Sequence, residues 1–144
     1  MDPAANAHDL SRFVAAQEPV YGAALAEIRR GHKETHWMWF VFPQIEGLGS
    51  SPMAQRYAIR SRAEAEAYLA HPVLGSRLEE CARAALAIKG RSAGEIFGSP
   101  DDLKLRSCAT LFASVSPPES VFHRLLDRFY GGEPDPATLR RLGA

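Results

Sequence analysis

Cysteine is scarce in this chain of 144 residues: there are two, Cys81 and Cys108, set far apart. No CxxC or Cys/His spacing accompanies them, so no zinc-binding pattern is recognisable and no metal or other cofactor is expected. Each falls on the apolar side of an expected helix, and both read as small buried hydrophobes. An excess of one charge is missing too, because 17 Lys plus Arg balance 17 Asp plus Glu. That balance gives no global pull toward nucleic acid, and no nucleic-acid partner is expected, although a local basic patch is compatible with it. No apolar run approaches the roughly 20 residues needed to span a bilayer, so no membrane partner is expected. The first ten residues, MDPAANAHDL, lack the basic flank and apolar core of a secretion signal, and the expected location is cytoplasmic. Repeats, low-complexity tracts and long linkers are also missing. Residues 1–144 are therefore expected to form a single helical domain, with residues 1–8 as a flexible N-terminus.

What remains is an ordinary globular composition, 46% hydrophobic and 24% charged, with clear helix punctuation. Leu10, Phe13, Val14 and Gln17 recur at helical spacing until Pro19 interrupts. Tyr21, Ala24, Leu25 and Ile28 form a second face that ends at Gly31. Ser51-Pro52 reads as a cap followed by proline at the first helical position, with Met53, Arg56, Tyr57 and Arg60 along one side. Ser61/Glu64 and Ser92/Glu95 each match a capping box. Pro72 can open a helix carrying Leu74, Leu78, Cys81, Ala82, Ala85 and Leu86 inward. Ser99-Pro100-Asp101-Asp102 is another start signal, with carboxylates in the first turn where the macrodipole favours them. Pro117-Pro118, Gly131-Gly132 and Asp135-Pro136 delimit the last two helices. The pattern predicts an all-α domain of about seven to nine helices, several of them short.

The segment from Trp37 to Phe42, WMWFVF, has no single period, since helix and strand would both be apolar on every side. A lone strand would leave its amides without partners, which favours a helix closed by Pro43. Polar groups crowd its two ends. Lys33 and His36 precede it, with His36 a candidate acid or base and Lys33 a second candidate catalytic group. Trp37 or Trp39 could stack on a planar ligand. Gln44 follows, and Gly47-Leu48-Gly49-Ser50-Ser51-Pro52 places flexible backbone and hydroxyls before a helix start, where Gly49, Ser50 and Ser51 could hold an anion. His32 and His36 are one helical turn apart, but no further ligand completes a metal set. Lys104, Ser107 and Thr110 share one helical face, which becomes functional only if it meets the aromatic segment. Asp101 and Asp102 read as helix-start charges.

AQEPVYGAALAEIRRGHKETHWMWFVFPQIEGLGSSPMAQRYAI, followed by AYLAHPVLGSRLEE and DDLKLRSCATLF, resembles the bacterial family known as domain of unknown function 1810. The resemblance runs from about Leu10 to Leu142 and is carried most specifically by HWMWF-FPQ and GLG-S. It implies a small, stand-alone helical protein whose activity is not established. Some members bear a calpastatin-like label, which does not suit a compact, repeat-free chain, because calpain inhibitors of that kind are disordered and repetitive. The family's usual pair of serines before TLF stands here as Ser107-Cys108, so a strict requirement for a hydroxyl at 108 is not supported. Two functions fit these residues. One is a site for a phosphate-bearing, ring-containing small molecule such as a nucleotide or ADP-ribose derivative, with hydrolase chemistry as a candidate activity. There Trp37 or Trp39 would stack, Lys33 or Lys104 would balance charge, and Gln44, Gly49, Ser50, Ser51 and Ser107 would bind. The other is a non-catalytic interaction module with the HWMWF segment as core, homo-oligomers included.

Overall fold

A computed structural model describes residues 9–143. The segment 1–8, expected to be flexible, lies outside the described residues. Among the described residues ten helices follow one another: α1 (Ser11–Gln17), α2 (Tyr21–Arg29), α3 (Met38–Val41), α4 (Pro52–Arg56), α5 (Arg62–Ala70), α6 (Leu74–Leu86), α7 (Ala93–Phe97), α8 (Asp101–Ala113), α9 (Val121–Tyr130) and α10 (Pro136–Leu142). Seven of them have at least seven residues. Among the described residues no strand forms; a single parallel bridge joins Ile45 to Ile59. The all-α expectation therefore holds. No helix among the described residues is long and apolar enough to cross a membrane.

Helix α8 is the central strut, with α5, α7, α9 and α10 packed around it. Its Leu105, Cys108, Ala109, Leu111 and Phe112 are all buried. Aromatic edges continue the core outward. Phe112 lies 5.4 Å from Tyr68 and 5.6 Å from Phe122, and Tyr68 meets Phe13 edge-on at 5.2 Å. The buried amide of Gln17 is satisfied by donating to the Phe40 carbonyl at 2.6 Å and to the Tyr68 hydroxyl at 3.0 Å, so its burial is compensated. Both cysteines are buried thiols. Burial pushes Cys81 up to about 12 and Cys108 well above the ordinary thiol range, which keeps them protonated and unreactive.

Most punctuation lies where the sequence places it, and the exceptions have local causes. Ser92 and Glu95 make both halves of a capping box. Ser61 accepts the Glu64 amide, but the Glu64 carboxylate reaches one residue further, to the Arg60 amide at 3.1 Å, and to Arg12 at 3.2 Å. A pull from Arg12 thus replaces the reciprocal half of that box. Helix α6 starts at Leu74 and not at Pro72: Val73 takes the cap position, and His71 Nδ1 in the preceding turn accepts the amides of Val73 and Leu74. Helix α8 starts at Asp101 with Pro100 in the cap position after a cis Ser99–Pro100 bond, so Ser99 is not its cap. Helix α4 ends at Arg56; Arg60 lies beyond it, past the Ile59 bridge.

Candidate functional site

The aromatic segment is folded around a buried carboxylate. Glu27, on the inner side of α2, accepts the amides of Glu34 and Thr35 at 2.7 and 2.9 Å. It also accepts the Thr35 hydroxyl at 2.6 Å and the Trp37 indole N–H at 3.0 Å. Burial alone would raise the pKa of this carboxyl, but four donors outweigh it and bring it from an ordinary 4.5 down to about 2. The loop from Lys33 to Trp37 is therefore wound onto one charge. Trp37 ends fully buried at 0% exposure, and the helix of the WMWFVF run shortens to the single turn α3.

Two lysines then bracket the two tryptophans. Lys33 Nζ lies 5.0 Å from the Trp37 ring centre and 2.9 Å from Asp101 Oδ2. Lys104 Nζ lies 4.4 Å from the Trp39 ring centre and 3.0 Å from Asp101 Oδ1. Burial works against ionisation of Asp101, yet hydrogen bonds and charge from both ammonium groups hold its carboxyl below the ordinary range. One carboxylate thus serves two cations, and the ionised Asp135 on the same cavity balances the positive charge they leave. Asp101 is more than the helix-start charge the sequence suggests: it ties α8 to the aromatic loop.

An open cavity of about 490 Å³ lies beside this cluster. Trp39 and Gln44 form one wall, Leu48 to Ser51 with Ala54 a second, Pro100, Leu103, Lys104 and Ser107 a third, and Asp135 with Ala137 the floor of α10. Seven residues singled out in the sequence, Trp39, Gln44, Gly49, Ser50, Ser51, Lys104 and Ser107, meet here. Three do not line it. Trp37 is core; Lys33 is held by Asp101 with a side chain only 7% exposed; His36 is exposed and lies off the wall. Among the described residues no group of three or more His, Cys, Asp or Glu comes together as a metal site would require.

Details of the wall decide what it can do. The Ser51 hydroxyl oxygen accepts the Ala54 amide at 3.1 Å, and Pro52 has no N–H, so the start of α4 offers a weaker anion cradle than its sequence suggests. The amides of Gly49, Ser50 and Ser51 make no hydrogen bond among the described residues and remain available. A side chain at Gly49 would come within 2.8 Å of the Ala54 methyl, so glycine lets this loop lie close to α4. The Ser107 hydroxyl is engaged, donating to the Leu103 carbonyl and to Asp135 Oδ2 at 2.9 Å. Thr110 completes the predicted polar stripe but is buried, bonded to the Arg106 carbonyl and to the Asp135 amide. Asp135 caps α10, and despite burial the donors Thr138 and Ser107 keep its carboxyl below the ordinary range. Sequence reading missed Asp135, Leu48 and Leu103, since their convergence is tertiary and only the cap at Asp135 leaves a local signal.

These features define a small helical protein with one aromatic, lysine-edged cavity against its central helix. The chain belongs to the family of proteins of unknown function designated DUF1810, whose profile matches residues 7–142. It is similar to the crystal structure of the conserved hypothetical protein Rv1873 from Mycobacterium tuberculosis. The two are 54% identical, with a TM-score of 0.92 over 94% of this chain and 97% of that one. No curated protein matches the sequence.

Proposed function

We propose that the protein binds a small ring-containing ligand bearing phosphate, of the nucleotide or ADP-ribose kind, in the cavity beside Trp39. The observation that carries this reading is convergence: residues from 39–51, 100–107 and 135–137 share one cavity holding an indole, an ammonium group and free backbone amides. Lys104 already covers one face of Trp39, so a ligand ring would pack on the other face or the edge, beside Leu48 and Leu103. The Lys104 ammonium group and the amides of Gly49 to Ser51 would meet the phosphate, with the Asp135 carboxylate turned to Ser107 and Thr138. Binding is the function proposed, not hydrolysis. The wall's own carboxylate, Asp135, is occupied by Ser107 and Thr138, and His36 lies outside.

Isothermal titration with ATP, ADP-ribose and ribose 5-phosphate tests this. Saturable binding is expected for the wild type and a loss of at least about tenfold in Trp39→Ala and Lys104→Ala, as expected for removed stacking and a charged hydrogen bond. No binding of any of the three at millimolar concentration would sink the reading. A second reading, protein docking, has one observation in its favour. Leu103 is 58% exposed on the cavity wall, and Met53, next to the wall residue Ala54, is 38% exposed. Sedimentation of the wild type and Leu103→Ser separates the two: self-association lost in Leu103→Ser favours docking between copies.

A further inference from the structure

A second cavity, about 460 Å³, is lined by Arg60, Arg62, Arg140 and Arg141, with Glu46 its one acidic residue. We propose that this cleft is a binding site for a small polyphosphate anion, separate from the cavity beside Trp39. In a chain of zero formal charge, four guanidinium groups against one carboxylate are a local concentration, not a reflection of composition. Helix-dipole complementarity accounts for Arg140 and Arg141 in the last turn of α10. It does not account for Arg60 and Arg62, which come from the opposite wall at the start of α5.

The way these arginines are held matters more than their number. Arg141 Nε donates to the Glu46 carbonyl at 2.9 Å, and Arg62 Nη1 donates to the Ser114 carbonyl at 3.0 Å. Neutral carbonyls fix both side chains without cancelling their charge. Gly47 makes room for one of them: a Cβ there would sit 1.5 Å from Arg141 Nη2, and its φ of +95° suits glycine. The ion pair within the cleft is long and open to water, with Arg60 Nε 4.0 Å from Glu46 Oε2, and outside the cleft Asp9 is within electrostatic reach of Arg60. Among the described residues no ion pair engages Arg62, Arg140 or Arg141. Guanidinium forks match phosphate oxygens in pairs, and the volume falls in the range of small-ligand sites. Several phosphates in a row are the chemistry that would use four forks at once.

Titration calorimetry of the full chain with inorganic triphosphate, at low and then rising salt, tests the proposal. Saturable binding that weakens with salt is expected. Arg140→Gln/Arg141→Gln should lose at least about tenfold, as removal of charge-assisted hydrogen bonds implies. Arg83→Gln, at a side chain paired with Glu79 on α6, should leave the affinity unchanged. If the double variant melts below wild type, Arg60→Gln, an exposed side chain, carries the same expectation. Absence of saturable heat at millimolar triphosphate overturns the proposal, as does an equal loss in Arg83→Gln. So does a single-stranded RNA oligomer that binds and is not displaced by triphosphate, which would make the cleft part of a nucleic-acid surface.

Discussion

Trp37 and Trp39 are two residues apart in one apolar run, and the fold gives them opposite surroundings. Trp37 is sealed in the core between Phe42 and Phe97, its indole N–H spent on Glu27. Trp39 is half-buried on a cavity wall beneath Lys104. Even the lysines divide this way, with Lys33 buried behind Trp37 and Lys104 at the cavity beside Trp39. Composition treats the two tryptophans as equivalent. Their surroundings separate a residue that holds the protein together from one that is free to meet something else.

The sharpest way to break that contrast is to remove each indole in turn. Trp37→Ala is expected to cost about 3–5 kcal/mol, since a large aromatic leaves a cavity and strands a buried carboxylate partner. Trp39→Ala should cost about 1–2 kcal/mol in proportion to its partial burial, with the fold retained. Urea unfolding followed by circular dichroism measures both. Equal losses would show that both rings are core and that the cavity wall has no independent role.

Glu27 belongs to the Trp37 side, and its effect depends on pH. Its folded pKa of about 2 lies below its unfolded value near 4.5, so its stabilisation is present above about pH 5. It is lost as pH falls toward 2, because protonation removes the charge that strengthens these four hydrogen bonds. Glu27→Gln is expected to cost about 2–3 kcal/mol at pH 7 and to flatten the stability slope between pH 5 and 2. Denaturant midpoints of wild type and variant across that window decide it. Parallel slopes would mean that other carboxylates, Asp101 and Asp135 among them, account for acid sensitivity.

Much of this division was legible in the sequence, and the remainder fails to show for physical reasons. Helix starts at Ser51, Ser92 and Asp135 and ends at Gly31 and Gly131 are local events, set by side chains within a few residues. The crowding of Gln44, Ser50 and Ser51 near Trp39 was likewise readable as proximity along the chain. Choosing Trp39 over Trp37 was not, because Glu27 lies ten residues before Trp37 on another helix and its burial is a tertiary fact. Asp101 looked like a cap for the same reason, since the lysine it shares with the aromatic loop is 68 positions away by the numbering of Lys33 and Asp101. The arginine cleft joins residues 60–62 to residues 140–142, and no local pattern marks such a meeting.

The smallest expected effect is the most discriminating. Lys33 and Lys104 contact the same carboxylate at nearly the same distance, 2.9 and 3.0 Å, so a tally of ion pairs ranks them equal. Solvent does not. The Lys33 side chain is 7% exposed against 20% for Lys104, and removing the more buried partner leaves the larger desolvated space around Asp101 and Trp37. Lys33→Ala is therefore expected to cost about 1–3 kcal/mol, and Lys104→Ala less than about 1 kcal/mol. Thermal and urea unfolding of the two variants side by side measures the gap. Equal costs would place Lys104 in the framework with Lys33. A small cost for Lys104 together with lost ligand binding would mark the point where this protein's framework ends and its cavity begins.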